Sequence, residues 1–152
     1  MTRTLLTILL CPLAAAALIA LFGRRRGRLS AAISVISAAV QAALTLRLVF
    51  GGWDGEPLRA LVPWFSMGEL ELAMGFYFNE MSALLLIVVT VVGFLIHVFA
   101  IGYSDDDASR GRFFGGLSIF MFSMTGVVLS ENLFMLFVFW ELVGFSSYML
   151  IG

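Results

Sequence analysis

Five stretches of this chain are each apolar over about the 20 residues that a helix needs to cross a hydrocarbon core of roughly 30 Å. They run approximately from Thr4 to Phe22, Leu29 to Phe50, Asn79 to Tyr103, Arg112 to Ser130 and Leu133 to Gly152. Inside a bilayer a backbone must satisfy its own N–H and C=O groups, so segments of this length are helices. The expected fold is therefore all-α, a polytopic transmembrane helix bundle of about five spans. Composition agrees, since 61% of residues are hydrophobic and 12% charged, with a mean hydropathy of +1.04. Soluble domains are roughly 45–50% apolar. Pro57 and Pro63 fall between spans, and Pro12 lies inside the first, where a mild kink is tolerated.

The basic residues set the expected orientation. All nine are arginine; the chain has no lysine. Arg24, Arg25, Arg26 and Arg28 follow the first span, and Arg110 and Arg112 precede the fourth. On the opposite side stand Arg3 and Arg59, with Arg47 near the outer end of span two, where its long stem can snorkel. Six against three places the odd loops in the cytoplasm and the N-terminus outside a bacterial inner membrane. Because the arginine cluster follows the first hydrophobic run, that run reads as a retained helix and not as a cleaved signal peptide.

Between spans two and three, residues 51–78 form the longest polar interval and contain Trp53, Trp64 and Tyr77. The partial two-residue alternation of "GELELAMGFYF" predicts a short hairpin-like loop on the extracytoplasmic surface, its aromatics at headgroup level. "SEN", at Ser130 to Asn132, is a tight turn that makes spans four and five antiparallel neighbours.

Much chemistry is excluded. Cys11 has no second cysteine to pair with, and one cysteine and one histidine cannot supply a zinc or haem constellation. No phosphate-cradling glycine spacing occurs, so no cofactor is expected on this chain. What remains is Glu141, the ninth residue of the fifth span and the one ionisable group in it. Holding an acid at that depth costs a few kcal/mol, about 2.5–3.5 on insertion scales. A carboxyl withdrawn from water stays protonated, and a cation brought beside it favours the carboxylate, so such a group can load and release a proton. Glu141, Gly144 and Tyr148 share one helical stripe, with Trp140, Gly144 and Ser147 on an adjoining one; the expectation is a sequestered polar interior around the acid. The competing reading makes Glu141 a neutral hydrogen-bonding stitch between helices in a non-transporting scaffold. Phe137, Phe139 and Phe145 read as lipid-facing or packing residues.

His97 lies toward the cytoplasmic half of span three, on a polar strip with Thr90, Gly93 and Ser104. Its imidazole suits it either to relay protons or to serve as a structural donor. Asp105, Asp106, Asp107 and Glu131 read as surface charges, and Glu80 as an acid at the N-terminus of span three.

"FVFWELVGFSSYMLIG" resembles the W-E-x-V-G-x-x-S-Y-x-L-I-G signature of the largest antiporter-like subunit of respiratory complex I, the L subunit of bacterial NADH:quinone oxidoreductases and chain 5 of the mitochondrial enzyme. "VVTVVGFLIHVFAIGYSDDDASRGRFFGG" is similar to that family's third span, cytoplasmic loop and start of span four, and "SENLFMLF" to its acidic turn. The resemblance implies a translocase subunit with no redox chemistry of its own, acting beside other membrane subunits of complex I while quinone and NADH are bound elsewhere. It also implies Glu141 as the proton-translocating acid, paired with a lysine on a later helix, and His97 as the family histidine. Phe139 and Leu142 replace glycines of the pattern, which is expected to narrow the space near the acid, and Asn79 replaces an aspartate, a swap of one helix cap for another. Family members have more than a dozen spans. The chain thus reads as an N-terminal piece, a single membrane domain over 1–152 in which 1–111 are N-terminal helices and outer loop and 112–152 begin the proton-conducting domain. The large subunit of multisubunit sodium/proton antiporters shares the layout and is the alternative.

Overall fold

The computed structural model describes residues 1–23, 26–67, 70–103 and 109–151. Arg24, Arg25, Ser104, Asp105, Asp106, Asp107 and Gly152, and the side chain of Trp64, lie outside the described residues. Among the described residues, five helices are long and apolar enough to cross a membrane. They are α1 (Thr2–Leu18), continued by a π-helical turn (Ile19–Gly23), α2 (Gly27–Gly51), α3 (Glu80–Tyr103), α4 (Arg110–Leu129) and α5 (Leu133–Ile151). An antiparallel hairpin of β1 (Leu58–Met67) and β2 (Leu70–Phe78) joins α2 to α3, pairing Leu58 with Phe78 and Met67 with Leu70, with a register shift between Pro63 and Phe65. Ahead of it Gly55 takes a positive φ of 88°, a conformation open to glycine, and Trp53 Nε1 donates to Glu56 O at 2.7 Å.

The expected spans are recovered with ends shifted by a few residues. Apolar clusters close the bundle at each end. Near the hairpin, Leu5, Ile8, Leu48, Phe78, Ala83, Leu86 and Leu129 pack together; at the far end Ile19, Ala31, Ala100, Phe114 and Leu117 do. Between them α2 carries a buried small and polar stripe, Ser30, Ser34, Ser37, Gln41 and Thr45, at the helical period. Lipid supplies no hydrophobic drive for helices to associate, so close approach by small residues and hydrogen bonds between helices hold the bundle. Ser34 Oγ lies 2.7 Å from Ser118 Oγ and donates to Phe114 O at 3.2 Å, tying α2 to α4.

Pro12 explains another tie. It has no N–H to give to Ile8 O, one turn earlier in α1. Gln41 Nε2 takes that role at 2.9 Å and also donates to Thr125 Oγ1 at 2.8 Å, so one amide links α1, α2 and α4.

The hairpin is anchored to the turn between α4 and α5. Phe76 bridges Ser130, Glu131 N–H donates to Gly75 O at 3.1 Å, and Asn132 Nδ2 donates to Ala73 O at 2.7 Å. Asn132 Oδ1 also caps α5 by accepting from Met135 N–H at 2.8 Å, as Asn79 Oδ1 caps α3 from Ser82 N–H at 2.9 Å. Asn79 is the cap that the sequence pointed to.

One surface assignment changes. Glu131 is not a free surface acid: its side chain is 6% exposed and pairs with Arg59 of β1, which is 65% exposed. Arg110, counted above for orientation, is sheltered from solvent. It is the buried first residue of α4, donates from Nη2 to Ile101 O at 3.2 Å, and sits 5.9 Å from the Phe114 ring centre.

Candidate functional site: the α5 acid and the α3 histidine

α5 packs on α4 through Met135, Phe139 and Ser146, its buried residues. Their spacing fixes which way the rest of the helix points. Glu141 follows Phe139 by two positions, about 200° around the helix. It is therefore exposed, on the flank away from α4, together with Phe137, Trp140, Gly144 and Tyr148. Trp140 is 64% and Tyr148 75% exposed, and a β-carbon added at Gly144 would meet nothing within 4 Å. The predicted stripe exists, but within this chain it is open and not sequestered. Among the described residues Glu141 has no ion-pair or hydrogen-bond partner. The stitching expected of a scaffold acid is absent from α4.

Phe139 does not narrow the space near the acid. Its ring turns inward, against Gly126 of α4, where any β-carbon would collide with it, and makes an edge contact with Phe122 at 5.4 Å. The bulk of this aromatic is absorbed by a glycine on the neighbouring helix.

His97 has the opposite setting. Ser82, Leu86, Thr90, Gly93, His97 and Ala100 form the buried stripe of α3, which faces α2 and α4, and His97 is 1% exposed. Its Nδ1 is 2.8 Å from Gly93 O. A carbonyl oxygen can only accept, so Nδ1 carries the hydrogen and Nε2 of the neutral ring holds the lone pair. Gly93 also lets α4 come close, because a β-carbon there would strike Met121.

The structure does not bring the two candidates together. Both helices start at the hairpin end, and with Glu80 and Leu133 as origins His97 lies about 13 Å further along the bundle than Glu141 at ~1.5 Å per residue. α4 stands between, packing against both α3 and α5. Sequence reasoning missed Gln41, Thr45 and Thr125 at the bundle centre, although the period of Ser30, Ser34, Ser37, Gln41 and Thr45 was visible in α2. It also missed the Arg59–Glu131 pair, for which no local pattern exists.

The arrangement of helices places the chain among helical membrane subunits of respiratory complexes. It matches, with a TM-score of 0.70 and 27% identity over 93% of this chain and 22% of the other, a chain in the structure of the membrane-bound sulfane sulfur reductase, an archaeal respiratory membrane complex. Residues 64–114 match the family model described as NADH-ubiquinone oxidoreductase (complex I), chain 5 N-terminus. The chain is 38% identical, over 97% of its length, to NADH-quinone oxidoreductase subunit L of Neisseria meningitidis. It is 35% identical, over 93% of its length, to subunit L of Mycobacterium tuberculosis. A chloroplastic NAD(P)H-quinone oxidoreductase subunit 5 from Chara vulgaris is 47% identical over 60% of the chain and 14% of that protein. The chain belongs to the complex I L-subunit, or chain 5, family. It spans 23% of the length of the two bacterial relatives.

Proposed function

We propose that this chain is the N-terminal part of an antiporter-like membrane subunit of a proton-translocating NADH:quinone oxidoreductase, in which Glu141 carries the translocated proton. The observation that carries the reading is the 38% identity to a subunit L along 97% of the chain, which includes the helix bearing the acid. On this reading the chain acts as part of a translocase and does no redox chemistry; NADH and quinone are bound by other subunits, and other membrane subunits of complex I are its neighbours. The N-terminus and the hairpin face outward from a bacterial inner membrane, and the arginine-rich ends face the cytoplasm.

The open flank of α5 fits this role. An acid with no partner inside the five helices is available to a cation on a further helix, and the relatives have more than three quarters of their length outside the matched region. A cation arriving there draws the proton off the carboxyl, and its departure restores it. His97, with Nδ1 committed to Gly93 O, would exchange protons through Nε2.

The experiment is Glu141→Gln in the complete complex, with proton translocation per NADH oxidised measured in proteoliposomes. Glutamine keeps most of the hydrogen-bonding capacity and cannot release a proton. Translocation through this subunit should be lost while the complex assembles normally. Unchanged stoichiometry in the assembled variant would remove the role from Glu141 and favour the scaffold.

A further inference from the structure

Among the described residues, two polar atoms at the centre of the bundle have no hydrogen-bond partner: Gln41 Oε1 and Thr45 Oγ1. Both residues are fully buried and stand one turn apart on the same face of α2. The orientation of the Gln41 amide is fixed. Nε2 spends one hydrogen on Ile8 O, which can only accept, and the other on Thr125 Oγ1, whose own hydrogen goes to Met121 O at 2.8 Å. Oε1 therefore points away as a pure acceptor. Thr45 differs from four other buried hydroxyls of the bundle. Thr90, Ser118, Ser123 and Thr125 each donate to the carbonyl four residues earlier, at 2.7–3.0 Å, whereas Thr45 does not. Its hydrogen and lone pairs remain unused, one helical turn from the unused lone pairs of Gln41.

Such a pair is complementary to a small neutral molecule offering two donors and an acceptor. A metal cation would need several more oxygens than these two. A cleft lies beside the neighbours of Thr45. Leu44 and Leu48, which bracket Thr45, line a cleft of about 360 Å³ between the start of α1 and the end of α2, together with Thr4 and Arg47. The exposed guanidinium at that cleft also disfavours a cation as the occupant.

We propose that an ordered water molecule bridges Gln41 Oε1 and Thr45 Oγ1 and reaches that position from the cleft at the hairpin end of the bundle. It donates to Gln41, and exchanges a hydrogen bond with Thr45. The site adds one buried water to the polar seam of α1, α2 and α4 near the middle of the bundle, independent of Glu141 and His97.

Gln41 is the only glutamine in the chain, so glutamine labelled at Cδ and Nε2 reports this one side chain. In the full chain in lipid bilayers, water-edited solid-state NMR should show magnetisation passing from water to Gln41 Cδ at least about threefold faster than to Leu86, which is buried in the apolar cluster. Thr45→Val should bring that rate down toward the Leu86 value, and Thr45→Ser should keep it. A Gln41 rate equal to that of Leu86 in the unmodified chain would overturn the proposal. So would fast transfer that survives Thr45→Val, since the bridge would then not include Thr45.

Discussion

At the scale of single residues, Pro12 and Gln41 are one feature written in two helices. Proline withholds the N–H that Ile8 O would otherwise accept, and glutamine on α2 replaces it. Gln41→Leu removes that donor and should cost about 1–3 kcal/mol of bundle stability, because a carbonyl is left unpaired away from water. Pro12→Ala returns an N–H to position 12 and gives Ile8 O an intrahelical partner. In that background Gln41→Leu should cost less, by about 1 kcal/mol, the remainder belonging to Thr125. A double-mutant cycle of unfolding in mixed micelles reads the difference, and a cycle showing no coupling would mean that the two residues act separately. Gly126 and Phe139 make a second such pair. Gly126→Val should destabilise the α4–α5 contact by about 1–3 kcal/mol through overpacking, and Phe139→Ala in the same chain should return part of it. The same unfolding assay checks both. Neither pairing could be read from the sequence, since the partners lie far apart along it and nothing local marks proline 12 as the partner of glutamine 41. Glu141, by contrast, was readable because an acid in a helix of otherwise apolar residues announces itself. Its stripe was readable too, but not which way the stripe faces, because that depends on which side of α5 meets α4.

The elements show the same division. Helix positions follow from hydropathy, since in lipid length and apolarity leave no alternative to a helix. The hairpin was foreseen from its alternation, but its docking was not, because the docking rests on the turn at the other end of α4. Ser130, Glu131 and Asn132 hold β2 through two backbone contacts and one side-chain amide, and Arg59 of β1 closes over Glu131. The carboxylate is nearly covered while the arginine is largely exposed, so losing Arg59 leaves a shielded charge without its counterion. That makes the pair worth more than an ordinary surface bridge, which contributes about 0–1 kcal/mol. Arg59→Ala should therefore loosen the hairpin without disturbing the helices. Hydrogen exchange at the β2 amides should quicken about tenfold, the equivalent of ~1.4 kcal/mol, while exchange in α2 and α4 stays as it was. Equal exchange in the variant would mean that Asn132 and the backbone contacts suffice to hold the hairpin. Gly75 belongs to the same latch, since a β-carbon there would collide with the Glu131 carboxylate.

For the molecule as a whole, orientation follows from charges that have little to do with packing. Counting by position along the chain, six arginines lie at the end of the bundle away from the hairpin and three at the hairpin end. On the proposed orientation, this imbalance is what holds the arginine-rich end in the cytoplasm. Arg110 contributes to it while also being buried against Phe114, so its charge cannot be removed without disturbing α4. The four arginines at positions 24, 25, 26 and 28 are the better lever. With an odd number of spans and the N-terminus outside, a fluorescent protein fused after Gly152 should fold in the cytoplasm and fluoresce, and alkaline phosphatase fused there should be inactive. Replacing those four arginines by alanine leaves two against three and removes the bias. A substantial share of molecules should then insert the other way, with fluorescence falling and phosphatase activity rising in step. Active phosphatase on the unmodified chain would reverse the orientation and put the hairpin, with its Arg59–Glu131 latch, on the cytoplasmic side.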